Sequence, residues 1–456
     1  MFTRAVVAIW LCAAISAHAQ AQGLKPDDRF CLRDQQEREF RGCRAVKFRN
    51  EFYYRATCPD MDSADAPDHE FLITDQWTVV MEGEGSCTPL IALWRDVVFS
   101  SGWRGGGESQ SVVPPPVSDS ENVVRVLFGT NRKIAQKNAR IEFTGGRDSR
   151  LHLGGVAVSI PAKHDIGSVE RPWSFRIPFT RLTIGFSEDR NKHFNIRWLG
   201  ELTPSLFVQE LRDAVDAPDI KQAFVFIHGY NVSFDDAAFR TAQLAHDMRF
   251  RGAPIFFSWP SRGELENYRY DLDSARFAKK YLVDFLELIK SQSRAEIIHL
   301  VAHSMGNDPL MQTLMELKDR HTGGEPLFNE VILAAPDIDL NGFLQLVNGI
   351  RGVANGITLY ANNSDRAIEA SRRYAGNIQR AGGLPPVIVD GVDTIDVTEI
   401  GSSLLSLNHS DYADNPILMD DIRTLFQQSL RPPDERSILL RKKSHDNAVY
   451  WKFVRN

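Results

Sequence analysis

The sequence predicts an α/β chain with a mostly parallel sheet of about eight strands, preceded by a small domain stapled by disulfides. Three observations predict it. Short runs rich in β-branched and aromatic residues recur from Val123 onward, and they are apolar along nearly their whole length. Stretches with helical periodicity separate several of them, which is how parallel strands covered on both faces are connected. Ahead of these runs, all five cysteines fall in the first hundred residues, four of them beyond residue 30, and none follows.

The 456 residues are about three times a typical domain of ~150, so the prior is two domains or one large domain with an added module. With 43% hydrophobic and 25% charged residues the composition is that of a globular chain, which excludes disorder and fibres. The formal charge of −6 supplies no net positive field to displace counterions from phosphates, so no nucleic-acid partner is expected.

The elements follow in order. Residues 1–19 carry one early positive charge, Arg4, an apolar run from Ala5 to Ile15, and small residues ending in Ala17-His-Ala19. This is the layout of a secretory signal, too short in its apolar run for a membrane span. The mature chain is therefore expected to be exported, periplasmic or secreted, with no transmembrane segment. Cys12 leaves with the leader, and Cys31, Cys43, Cys58 and Cys87 remain in a module spanning residues 24–103. An even, clustered count in an exported chain reads as two disulfides, with three connectivities open. Zinc is the competing reading, but the spacings contain no CxxC pair. Gly105-Gly-Gly107, Pro114-Pro-Pro116 and the polar residues around them mark a linker over 104–121.

The second domain, 122–456, contains the strand-like runs Val123–Phe128, Gly155–Ile160, Ala223–Ile227, Pro254–Phe257, Ile297–Val301, Val331–Ala335, Ile357–Tyr360 and Thr394–Thr398. Ala278, Tyr281, Leu282, Phe285 and Ile289 form a helical stripe, as do Leu310, Leu314 and Leu317.

The strongest chemical signal is Ile297-Ile-His-Leu-Val-Ala-His-Ser-Met-Gly306, an apolar strand running into Ala302-His-Ser-Met-Gly306 and then a helix. A serine between small residues on a strand-to-helix turn fits a nucleophile elbow, which lifts Ser304 Oγ clear of the sheet and sets the Met305 amide near a helix N-terminus. Upstream, the apolar strand ending in His228-Gly229-Tyr230 would supply a second oxyanion donor, the Tyr230 amide, with His228 and Gly229 shaping the loop.

An activated serine needs a base and an orienting carboxylate, which follow it in chain order as acid and then histidine in this arrangement. His409, in a polar loop after the last predicted strand, is better placed than His321 or His445. Asp365, in the loop after Ile357–Tyr360, is the favoured acid, and Asp337 or Asp339, one strand earlier, is the alternative.

The stretches Phe128-Gly-Thr-Asn-Arg132, Phe226-Ile-His-Gly-Tyr-Asn231, Phe257-Ser-Trp-Pro-Ser261, Ala302-His-Ser-Met-Gly-Asn307, Ala334-Ala-Pro-Asp-Ile-Asp339, Asn363-Ser-Asp365 and Leu407-Asn-His-Ser-Asp-Tyr412 resemble a bacterial α/β-hydrolase family of uncharacterised esterase- or lipase-like proteins. The resemblance covers about residues 123–456 and implies the α/β-hydrolase fold and a serine triad without naming a substrate. Two functions follow. One is a serine hydrolase acting on a small or lipid-like carboxylic ester, or on an amide or thioester with the same triad. The other is an envelope binding or scaffold protein that retains the fold and docks a partner through its cysteine module. The 12 histidines include no HExxH, so neither a metal nor another cofactor is expected.

The loop Ser261–Tyr270 is expected to border the pocket through Tyr268 and Tyr270, because loops at the carboxyl ends of strands line the cleft in open α/β sheets.

Overall fold

The computed structural model describes residues 29–33, 39–47, 54–58, 69–72, 78–83, 86–89, 122–137, 140–171, 174–176, 183–185, 189, 191–263, 267–362, 378–400 and 416–454. The leader and the linker lie outside them. The chain divides into two compact units, the first made of Met1–Pro115, Ile134–Glu142 and Gly200–Thr203, the second of the remaining segments.

Before residue 90 the backbone forms β1 (Arg29–Arg33), β2 (Glu39–Lys47), β3 (Tyr54–Cys58), β4 (His69–Leu72), β5 (Thr78–Gly83) and β6 (Ser86–Pro89). They make one antiparallel sheet in the order β4-β3-β2-β1-β5-β6. Cys31, Cys43, Cys58 and Cys87 fall in β1, β2, β3 and β6. Their side chains are outside the described residues, so the disulfide reading stays an expectation.

The second sheet begins with β7 (Val123–Lys137) and β8 (Arg140–Ser159), after which β9 (Ser174–Arg176) and β10 (Thr183–Gly185) form a separate pair. Next come β11 (Asn195–Glu201), α1 (Pro204–Asp216), β12 (Gln222–Ile227), α2 (Phe234–Asp247), β13 (Ala253–Ser258), α3 (Tyr268–Gln292) and β14 (Ile297–His303). The chain then continues through α4 (Asn307–Arg320), β15 (Phe328–Ala334), α5 (Leu340–Gly349), β16 (Ala354–Ala361), β17 (Asp393–Asp396), α6 (Pro416–Gln428), β18 (Leu440–His445) and β19 (Ala448–Phe453).

The sheet has eleven strands in the order β11-β8-β7-β13-β12-β14-β15-β16-β17-β19-β18. From β7 to β19 in that order every neighbour is parallel, and β18 closes the far edge antiparallel. This is the α/β-hydrolase fold. Seven of the eight expected strands fall in its parallel run and the eighth, Gly155–Ile160, at the end of β8; the expectation missed β11, β18 and β19. β18 reads Leu-Arg-Lys-Lys-Ser-His and is exposed after Leu440, a charged edge that discourages further pairing and carries no apolar signal.

The parallel strands are apolar throughout because both faces are covered. All six residues of β12 are buried, and α3 lays Ala278, Tyr281, Leu282, Phe285 and Ile289 inward, the stripe its sequence predicts. What positions a site is the winding. From β12 the chain goes to β13 on one side and then to β14 on the other. The loops leaving β12 and β14 therefore face each other at a switch point, where open α/β sheets bind ligands.

Candidate active site

Ser304 follows β14 and opens a single 3-10 turn, Ser304–Gly306, that leads into α4. Its φ is +50°, in the left-handed region that costs a residue bearing a Cβ about 1–2 kcal/mol. The neighbours hold it there. Asn307 Nδ2 donates to Ser304 O at 2.9 Å and to Ala334 O at 3.2 Å, tying the turn to the end of β15. The Asp337 amide donates to the same Ser304 carbonyl at 3.2 Å.

β12 and β14 run level, Ile227 beside Ala302, so the residues after them meet side by side. A Cβ on Gly229 would sit 2.8 Å from His303 Nδ1 and 2.9 Å from Ser304 Cβ. A Cβ on Gly306 would run into the His228 carbonyl oxygen. Both positions need glycine because the two loops are pressed together. Gly229 thus lies against Ser304 Cβ, and the next amide is that of Tyr230. Met305, fully buried, occupies the second position of the 3-10 turn.

His228 is no acid or base. It is buried and stacked on Trp259 at 4.7 Å, while Trp259 Nε1 donates to His228 O at 2.7 Å. Burial, and then the neighbouring Arg132 cation, hold its pKa far below the usual histidine range. Nδ1 donates to Gly229 O at 2.8 Å, leaving Nε2 to accept from Arg132 Nη2 at 3.2 Å. The supporting role expected of His228 and Gly229 is thus a scaffolding one.

Asp365 and His409 lie outside the described residues. The strand before Asp365, β16, ends at Ala361, and α6 begins after His409 at Pro416. Of the alternative acids, Asp337 is buried beside the elbow. Its Oδ2 accepts from Tyr268 OH at 2.9 Å, and its Oδ1 lies 3.2 Å from Arg380 Nε. Asp339 is the N-cap of α5, accepting from the Gly342 amide at 2.9 Å. His321 faces Glu287 at 3.0 Å, and His445 ends the exposed edge strand.

Of the two tyrosines expected at the pocket, Tyr268 is bonded to Asp337 and edge-on to the Tyr230 ring at 5.2 Å. Tyr270 turns the other way, donating to Gly145 O at 2.9 Å under the Arg262 guanidinium.

Two buried charges escaped the sequence reading as site residues. Arg132, at the end of β7's apolar segment, donates through Nε to Ser258 Oγ at 2.8 Å, through Nη1 to Ser261 O at 2.6 Å and through Nη2 to Val232 O at 2.8 Å. Burial lowers its pKa to about 10, against the pull of Asp271 and other carboxylates, so it stays a cation at neutral pH. Asp271, in the first turn of α3, is fully buried. It accepts from Ser261 Oγ at 2.5 Å, the Arg262 amide at 2.9 Å and the Asn231 amide at 3.2 Å. Asp271 extends the inward stripe of α3 back by seven residues from Ala278, and a carboxylate at a core-facing helix position was the signal that could have found it.

Residues 205–428 match the model of a family described as alpha/beta hydrolase of unknown function (DUF900). No curated protein matches the chain at a significant level. Among solved structures, a predicted CIB-like hydrolase from Thermoplasma acidophilum is 17% identical with a TM-score of 0.26, over 45% of this chain and 88% of that one. An acylaminoacyl peptidase from Pyrococcus horikoshii is 11% identical with a TM-score of 0.27, over 91% of this chain and 67% of that one. Likeness at that level carries no argument, and the fold rests on the strand order and the family match.

Proposed function

With residues 205–428 belonging to the alpha/beta hydrolases of unknown function, we propose that the chain is a serine hydrolase that cleaves carboxylic esters. Ser304 Oγ attacks the ester carbonyl while His409 takes its proton and Asp365 holds the imidazole in the tautomer that can accept it. The Tyr230 and Met305 amides receive the negative charge that develops on the carbonyl oxygen. His409 then protonates the leaving alcohol, and water, activated by the same histidine, releases the acid from the acyl-enzyme.

The observation that carries this reading is Ser304 itself, a buried serine at φ +50° with Gly229 pressed against its Cβ. Backbone strain at a serine between two close-packed loops has no packing purpose that a glycine would not serve better.

A fluorophosphonate probe tests the reading, followed by a panel of p-nitrophenyl esters, thioesters and anilides. Labelling at Ser304 and turnover of esters are expected. An unlabelled Ser304 would turn the reading toward a binding scaffold. We also read residues 1–19 as an export signal, so that the mature chain works in the periplasm or beyond; the N-terminal residue of the exported protein tests this directly.

A further inference from the structure

The motifs Phe128–Arg132, Phe226–Asn231 and Phe257–Ser261 contain no residue of the proposed triad, yet their polar side chains meet in one buried network. Thr130, Arg132 and Ser258 join the middle of β7 to the end of β13, with Thr130 Oγ1 donating to Ser258 O at 2.5 Å. Arg132 reaches across to His228 and Val232, on either side of Tyr230 and Asn231. From the opposite side Ser261 Oγ accepts from the Val232 amide at 3.1 Å, and Asp271 accepts from both Ser261 and the Asn231 amide. Asn231 is itself at φ +58°, so the loop makes its turn just after the Tyr230 amide and needs outside support to hold it.

We infer that Asp271 is a positioning residue for the oxyanion loop, acting through the Asn231 amide and Ser261 to hold the Tyr230 N–H toward the carbonyl oxygen of a substrate bound at Ser304. The inference rests on the serine-hydrolase reading. A carboxylate suits the position because all three of its partners are donors: two backbone amides and a hydroxyl. Asparagine has the same shape but must turn its NH2 toward a backbone N–H, either that of Arg262 or that of Asn231. Both oxygens of Asp271 receive such bonds, so no rotamer of asparagine satisfies the site. Arg132 complements the arrangement by holding the loop's carbonyls, Val232 O directly and Gly229 O through His228. The peptide on each side of Tyr230 and Asn231 is thereby fixed, by an anion on its donors and a cation on its acceptors.

The test compares an oxo-ester with its thiono analogue, in which sulfur replaces the carbonyl oxygen. Oxyanion donors favour oxygen, because sulfur is a poor acceptor and a worse fit to amides set for oxygen. Active sites are counted by fluorophosphonate titration, so misfolded protein does not enter the rates. In Asp271→Asn, kcat for the oxo-ester should fall about 100-fold with KM within about twofold, and the preference for oxo over thiono substrate should fall with it. Ser261→Ala, which keeps the carboxylate but loses its hydroxyl link, should move both quantities the same way by a smaller factor.

Unchanged kcat and an unchanged oxo-to-thiono ratio per active site in Asp271→Asn would overturn the inference. So would a loss shared equally by both substrates, which marks a structural role only. If Asp271→Asn yields too little folded protein, Ser261→Ala decides by the same ratio. Failure of the underlying reading is distinct: the wild-type chain would then neither label at Ser304 nor turn over an ester.

Discussion

A single hydroxyl carries the proposed chemistry, and its removal is structurally mild. Ser304→Ala leaves the 3-10 turn bonds from Asn307 and Asp337 in place, because both are made to the Ser304 carbonyl. It should abolish probe labelling and ester turnover while leaving the melting temperature within a few degrees of wild type. His409→Ala should be nearly as severe, and the double variant no worse than either, because the groups act as a unit. The two candidate acids should separate in a different way. Asp365→Asn is expected to lower kcat by about 10⁴ through the wrong imidazole tautomer. Asp337→Asn removes the anion from the contact with Arg380, both side chains being largely buried, so its main effect should be on stability. Urea unfolding and ester kinetics on both variants decide the assignment. If Asp337→Asn is the one that loses turnover, the acid lies after β15 and the choice of Asp365 is wrong. At this scale the sequence disclosed residues with a motif around them, Ser304 and Gly229 above all. It hid those whose role arises only from contacts across many residues, as when Arg132 reaches Ser258, His228 and Val232.

Elements were legible where burial is two-sided and obscure where it is not. β12 to β16 announce themselves as apolar runs because helices cover both faces, whereas β18 is charged and β11 is only partly buried. The connection between β8 and β11 has no such pattern, and it is held by charge. His164 lies between two carboxylates, with Nδ1 2.9 Å from Glu170 and Nε2 2.8 Å from Asp247. Asp247, the last residue of α2, also accepts from the Gly167 amide at 2.6 Å and from Gln243 at 2.5 Å. Burial works against the imidazolium, but hydrogen bonds to Asp247 and Glu170 outweigh it and raise the pKa of His164 to about 9. The folded value lies above the unfolded value of about 6.5, so folding takes up a proton as pH rises past 6.5. This stabilisation is complete below about pH 6.5 and is lost as pH climbs through 9. The urea midpoint of the wild type should therefore fall between those limits, and that of His164→Gln should be lower at neutral pH and flatter across the window. Parallel curves for the two proteins would show that the staple does not hold this connection.

At the scale of the whole molecule the chemistry and the cysteines are segregated. Every proposed catalytic residue follows the glycine- and proline-rich segment, and Cys31, Cys43, Cys58 and Cys87 precede it. Six short strands make a small sheet, and a core of that size benefits from covalent closure, with each disulfide contributing ~2–4 kcal/mol. The hydrolase domain instead has a long parallel sheet covered by helices. Removing the first ninety or so residues is an ambiguous test of independence, because Ile134–Glu142 and Gly200–Thr203 belong to the first unit and would be left without most of it. Reduction of the intact chain avoids this difficulty. The exported protein, denatured without reductant, should present no titratable thiol, and four would end the disulfide claim. Dithiothreitol added to the folded protein should then expose four thiols and make the first unit sensitive to protease. Turnover of a small soluble ester should persist, since Cys31, Cys43, Cys58 and Cys87 belong to the first unit and every proposed catalytic residue to the second. Loss of turnover in step with the appearance of thiols would instead mean that the cysteine unit helps to complete the active hydrolase.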